Sequence, residues 1–337
     1  MGTLTELVDG VAAETHFAGV VRVDREGDVM LRRGYGLADR RHGIPMTPDH
    51  RLAVASGTKL LTALVVLSLV EEGRLDLSTT ARSVLGSDLP LIADDVTVEH
   101  LLEHRSGIGD YLDEEDESLD ITDYVLPVPV HELTTTERFL PLLDGYPTKF
   151  RAGERFGYCN SGFVVLALIA ERASGVGYHE LVHRRVCTPA GLTGTGFLRS
   201  DALPGDAAVG YVEVGGEWRT NVFHLPVVGT GDGGHYTTVD DVQLLWVALL
   251  AGRIVAPQTV TEMVRPRSDV PEEGLRHGLG VWLHPSGDAV ITAGQDAGVS
   301  FYSLHDPVSG LTLTVIGTTA QAAWPVARAL REQLGTG

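Results

Sequence analysis

Hydrophobic and polar positions follow two different periods along this chain, and the changes of period mark its elements. Residues 3 to 15 carry a helical pattern, after which Gly19 to Asp24 and Asp28 to Gly36 alternate as two strands around Glu26-Gly27, so a hairpin is predicted there. From Ser56 the period is helical: Leu60, Leu61, Leu64, Val65 and Leu67 to Val70 predict a strongly apolar helix ending at Gly73. Val98 to His104 and Gly162 to Ala173 repeat that pattern and are stopped by Gly107 and Gly175. Strand patterns return at His277 to His284, Ala289 to Ala293, Val299 to His305 and Leu311 to Thr318, and Ala322 to Leu334 closes the chain as a helix. Strands at both ends with helices between them predict an α/β (α+β) fold, with an antiparallel sheet built from both chain ends and flanked by helices. The α/β lobe is expected from about 1–58 and 235–337, and an inserted, mainly helical lobe from about 59–234. No repeat or Pro/Gly/Ser-rich linker divides the chain, so a single catalytic domain over 1–337 is expected.

Composition narrows the class. With 43% hydrophobic residues in 337, a substantial core is available. The formal charge of −19 excludes nucleic acid and anionic membrane as natural partners, because their phosphates would be repelled. A small-molecule substrate is the expectation that follows, and oligomeric state is not legible. The N-terminal stretch carries acids where a secretory signal needs a basic start and an apolar run, so a cytoplasmic location is expected. Leu60 to Val70, the longest apolar stretch, is too short to span a bilayer. Cys159 and Cys187 are the only cysteines and sit among apolar residues, which reads as two reduced, buried thiols. The acid-rich run Asp110 to Asp120 is too densely charged to be buried and is expected to be a solvated loop. Core positions are the expectation for most of Trp218, Trp246, Trp282 and Trp324.

Chemistry enters with Ser56-Gly57-Thr58-Lys59, which on a helix puts a hydroxyl and an amine on one face. A serine needs a base to become a nucleophile, and a lysine serves if a dry site and neighbouring positive charge lower its pKa. Apolar flanks on both sides of the tetrapeptide supply the dryness, and a helix N-terminus favours developing negative charge. A second stretch, Arg151 to Gly162, is turn-rich and presents Tyr158 and Asn160: a hydroxyl for proton shuttling and an amide to orient the substrate or lysine.

Taken with their surroundings, these motifs resemble the class C β-lactamase and penicillin-binding-protein-like family, which includes D-alanyl-D-alanine carboxypeptidases, D-aminopeptidases and esterases. The resemblance covers nearly the whole chain. It is carried also by Glu72-Gly73-Arg74-Leu75-Asp76-Leu77, by Val98 to Ile108, by Pro189-Ala190-Gly191-Leu192 and by Gly233 to Asp241. It implies a β-lactamase/transpeptidase-like fold, no cofactor and no metal, Ser56 as acyl-accepting nucleophile, Lys59 as its proton partner, Tyr158 as base for acylation and deacylation, and Asn160 as contact to Lys59 and substrate. Relatives carry a third motif, Lys, His or Trp followed by a variable residue and Gly. Here it falls on Thr292-Ala293-Gly294, where only the glycine matches. The resemblance implies an oxyanion hole from the backbone N–H groups of Ser56 and Gln295. A hydroxyl at position 292 offers a neutral hydrogen bond where relatives pair a substrate carboxylate, so a neutral ester, lactone or amide fits better than a penicillin or a D-Ala-D-Ala peptide. Which of Lys59 and Tyr158 is the base stays open at this point.

Three other readings compete. A β-lactamase or D-Ala-D-Ala carboxypeptidase/D-aminopeptidase activity, or a catalytically weak binding protein on the same fold, would use the same site. His179-Glu180-Leu181-Val182-His183 matches the two-histidine pattern of zinc proteases, but a third ligand on an ordered element is not evident among Asp201, Asp206 and Glu213. In a chain of 13 histidines the five-residue match arises easily by chance.

Overall fold

A computed structural model describes residues 3–116, 119–121 and 124–336. Its centre is an eight-stranded antiparallel sheet. In chain order its strands are β1 (Gly19–Arg25), β2 (Asp28–Tyr35), β3 (Ser268–Val270), β4 (Leu275–His277), β5 (Trp282–Leu283), β6 (Val290–Asp296), β7 (Val299–Asp306) and β8 (Leu311–Gly317), arranged β2-β1-β8-β7-β6-β5-β4-β3. The two chain ends meet where β1 pairs β8, with Val20 opposite Ile316 and Val23 opposite Leu313. Strands alternate their side chains between two faces, and each face is covered separately.

One face packs on the terminal helices α1 (Leu4–Thr15) and the last helix, Ala323–Leu334: Val21, Val23, Ile291, Leu304, Leu313 and Val315 meet Val8, Val326 and Leu330. Thr3 and Glu6 close a reciprocal capping box that starts α1. The other face, with Val20, Val290, Phe301 and Ile316, belongs to the larger core of the helical region. At its centre are α2 (Thr58–Glu71) and α3 (Asn160–Ser174), buried from Thr58 to Leu69 and from Asn160 to Ala170. Apolar all round, both are interior helices, as that composition requires. Gly175, at φ 72°, ends α3 in the left-handed conformation that glycine adopts without cost. No helix among the described residues is long and apolar enough to cross a membrane.

Two sequence expectations, on the run His277 to His284 and on the tryptophans, need correction. The run His277 to His284 is not one strand: Gly278-Leu279-Gly280 turns it into the β4–β5 hairpin. Gly280 has φ 72°, and a Cβ there would lie 2.5 Å from the Ala63 Cβ, so packing against α2 dictates the turn. The segment expected to be mainly helical also carries a hairpin, Tyr211–Val214 with Glu217–Thr220. Of the four tryptophans only Trp246 is fully buried, its indole N–H donating to Ser303 Oγ at 2.9 Å between α4 (Val239–Leu250) and the sheet. Cys159 and Cys187 are free and buried, and burial raises both thiols, that of Cys187 to about 12.

Candidate active site

Ser56 sits in a one-turn 3-10 helix, Ala55–Gly57, that leads into α2. The chain reaches it from the short strand Leu52–Ala53, which pairs with Tyr236–Thr237. Ala55 adopts φ 46°, a left-handed conformation uncommon for a residue with a Cβ, and such local strain is held only where the surroundings fix it. Here β6 fixes it. A Cβ on Gly294 would stand 2.4 Å from Val54 O and 2.7 Å from Ser56 N, so only glycine lets the strand lie this close to the serine turn. β6 pairs with β5 only through Val290 and Ile291, so from Thr292 to Asp296 it has β7 on one edge and no strand on the other.

The sequence-predicted residues converge here. Lys59, 5% exposed, donates from Nζ to Ser56 Oγ at 2.8 Å, to Asn160 Oδ1 at 2.7 Å and to the Asp232 carbonyl at 2.9 Å. All three ammonium protons have acceptors. The Nζ also lies 4.9 Å from the centroid of the Tyr158 ring. Burial alone would lower this lysine, but the fields of Tyr158, Asp232 and Glu114 outweigh it and the net direction is up. That direction is opposite to the lowering that a general-base role for the lysine would need. Burial raises Tyr158, against the lowering effect of Lys59 and of its interactions with Lys59 and Ser56.

Asn160 opens α3 and is 2% exposed. Its amide orientation is set by its other partners: Nδ2 donates to Leu112 O at 2.9 Å and to Glu114 Oε1 at 2.8 Å, which leaves Oδ1 for Lys59. Asp110 accepts from the Asn160 and Ser161 N–H groups at 2.6 and 2.9 Å and from the Ser161 hydroxyl at 2.9 Å, capping α3 from fifty residues away. Burial pushes its carboxyl up to about 6. Tyr111 donates to the buried Asp232 Oδ2. The acid-rich run is therefore not simply a solvated loop. Asp110 and Tyr111 are buried, Asp113 pairs with Lys149 at 2.8 Å and Glu115 with Arg155 at 3.1 Å, while Glu117 and Ser118 lie outside the described residues. Glu114 is exposed as a residue, yet desolvation is the first cause that raises its carboxyl. Asp110, Glu114 and Asp232 are the site residues that sequence reasoning missed. Their one signal was the placement of the acid run just after Ser106-Gly107.

An open cleft of about 800 Å³ runs from Ser56 and Tyr158 along β6. Glu114, Glu272 and Glu273 line it, and so do Arg328 and Arg331. Trp282 and Trp324 form apolar walls, and Trp324 donates to the Gln295 side chain at 2.7 Å. That turns the Gln295 side chain toward the last helix. Thr292 is buried and borders a small cavity shared with Lys59 and Tyr158, with no charged group at its position. The rival histidines are engaged differently. His179 Nε2 bonds the Gly229 carbonyl at 2.8 Å and stacks on Phe197, while His183 is exposed where the helix Tyr178–Val182 gives way to a π-helical turn. No cluster of three metal-ligating side chains occurs among the described residues.

Comparison with known proteins gives the chain its family. The Beta-lactamase family model matches residues 4–336. Esterase EstB of Burkholderia gladioli is 29% identical over 299 residues, which span 78% of this chain and 73% of the relative. A D-aminopeptidase of Brucella anthropi is 27% identical over 290 residues, 81% of this chain but only 50% of the relative. The crystal structure of a penicillin-binding protein from Bacillus halodurans matches with a TM-score of 0.90 at 33% identity, over 97% of this chain and 99% of that one. With the family match running almost from end to end, the chain belongs to the Beta-lactamase family and is a serine hydrolase of that kind, with a mixed helix and sheet fold.

Proposed function

We propose that this protein hydrolyses small neutral esters or amides through an acyl-enzyme on Ser56. The observation that carries the reading is the triple coordination of Lys59, which fixes Ser56 Oγ beside a buried cation and the Tyr158 phenol. In this reading Lys59 keeps its charge and acts as an electrostatic anchor, and Tyr158 is the proton carrier. Ser56 Oγ attacks the acyl carbon while its proton passes to the phenol oxygen; as the tetrahedral oxyanion collapses, the bond to the leaving group breaks and the leaving group departs with the phenol proton, so Tyr158 ends as it began. The N–H groups of Ser56 and Gln295 receive the oxyanion, in keeping with the open edge of β6 beside the serine turn. Water then attacks the acyl-enzyme, Tyr158 takes its proton, and Ser56 leaves with a proton returned.

Thr292 gives no cation to a carboxylate, and the acids lining the cleft oppose one. The same acids favour an amine-bearing amide, the second reading, in line with the D-aminopeptidase relative. Labelling with a fluorophosphonate followed by mass analysis, together with rates on p-nitrophenyl butyrate and a chromogenic cephalosporin, tests the proposal. The adduct is expected on Ser56, lost in Ser56→Ala, with ester turnover well above cephalosporin turnover. A cephalosporin rate far above the ester rate, or an adduct on another residue, would overturn it.

A further inference from the structure

Behind the Tyr158 phenol lies a group of buried rings that this reaction scheme does not use. The His104 imidazole, 1% exposed, stacks on the Tyr158 ring with centroids 4.3 Å apart and planes at 27°. Trp282 also lies parallel to Tyr158, at 6.1 Å and 10°. His277, 2% exposed, joins them, 5.0 Å from His104 and 4.9 Å from Trp282. His104 and Trp282 thus set the plane of the phenol, and His277 packs against both of them. Shape alone would be served as well by phenylalanine, so the nitrogens call for an explanation.

His104 Nδ1 accepts the Cys159 N–H at 3.0 Å. A neutral imidazole that accepts at Nδ1 carries its proton at Nε2, and that buried N–H has no partner among the described residues. Nδ1 of His277 is buried and, among the described residues, without a partner as well. Burial is the first cause that keeps both rings neutral, with the His277 imidazole pushed down to about 3. Buried polar groups are seldom left unpaired in native proteins. Both histidines border a cavity of about 10 Å³ whose walls also include Lys59, Tyr158 and Thr292, enough for one water with several polar neighbours.

We propose that His104 and His277 are positioning residues for Tyr158, joined by one shared water that accepts from His104 Nε2 and donates to His277 Nδ1. The inference rests on the reading of Tyr158 as proton carrier. The pair moves no proton. It holds the plane of the phenol, and so its oxygen, against Ser56 and Lys59, from the side where Thr292 supplies only a hydroxyl.

The test compares His277→Phe, which keeps the ring shape and removes both nitrogens, with His277→Gln, which restores a donor and an acceptor. Fluorophosphonate labelling and p-nitrophenyl butyrate turnover are followed from pH 5 to 9, beside thermal unfolding. His277→Phe is expected to slow labelling and kcat on the order of tenfold, with KM within about twofold, a displaced pH profile, and an unfolding temperature equal to or above wild type. His277→Gln recovers most of the rate. His104→Gln, whose amide oxygen can still accept the Cys159 N–H, slows the reaction similarly and guards against a folding artefact. Wild-type rates with a superimposable pH profile in His277→Phe would overturn the inference, as would a rate loss that only tracks lost stability. Ser56→Ala separates the two readings: labelling that survives there refutes the site itself, whereas labelling lost there with His277→Phe unaffected refutes only the role of the pair.

Discussion

The Lys59 ammonium tolerates burial because each of its protons meets an oxygen, and the oxygen of Asn160 is available only because Leu112 and Glu114 take the other end of that amide. Glu114 therefore acts on the lysine twice, through the amide and through its own charge. Glu114→Gln weakens both effects. Hydrogen bonds to charged groups contribute about 1.5–3 kcal/mol, so kcat/KM is expected to fall roughly tenfold or more. Removing a negative charge disfavours the protonated forms of Lys59 and Tyr158, so the alkaline limb of the pH–rate curve, where either proton is lost, moves to lower pH; a limb that does not move would refute this role. A different sign applies to Asp296. Burial first, then the fields of Asp232 and Glu114, raise its carboxyl from 3.8 to about 7. A carboxyl raised by folding binds its proton more tightly in the native state, so its contribution is present below about pH 4 and is lost as pH rises through about 7. Asp296→Asn, which can still accept the Ala297 N–H now held at 2.9 Å, is expected to match wild type in urea unfolding at pH 4 and to exceed it at pH 8.

Between elements, the decisive contact is β6 lying against the serine turn. Gly294→Ala would drive a Cβ into Val54 O and Ser56 N, both backbone atoms that cannot swing aside. Overpacking of this kind costs about 1–3 kcal/mol, and displaced oxyanion donors cost about 100-fold or more in kcat. A lowered urea midpoint together with that loss of turnover is expected, and an active, fully stable variant would refute the close-approach argument. This glycine was legible in the sequence because one motif position tolerates no other residue, and α2 was legible because its apolar run is long enough to have only one periodic reading. The β4–β5 hairpin was not legible. Its residues suit a straight strand equally well, and what bends them is the approach of Gly280 to Ala63 on a different element. The burial of Asp110 was hidden for the same reason: its partners are N–H groups of α3, fifty positions along the chain.

At the scale of the molecule, the sheet closes by bringing β1 beside β8, and Arg22 and Arg32 of the first hairpin clasp Asp240 at the start of α4. The expectation of a sheet drawn from both termini rested on where the strand patterns fall, and the pairing of β1 with β8 is that sheet. The whole chain also bears −19. At the cleft, Glu115 and Arg155 neutralise one another, which leaves Glu114, Glu272 and Glu273 against Arg328 and Arg331. Local and global charge thus share a sign. Fields of this kind reach approaching substrates over about a Debye length, roughly 10 Å at 0.1 M salt and shorter as salt is added. Association of a carboxylate-bearing ester is therefore slowed at low salt and released as salt rises, while an ammonium-bearing amide is helped at low salt and loses that help. kcat/KM measured between about 0.02 and 0.5 M NaCl is expected to rise several-fold for the anionic substrate, to fall for the cationic one and to stay flat for a neutral ester. Three parallel salt profiles would mean that charge at the cleft plays no part in selection, and that Thr292 alone sets the preference.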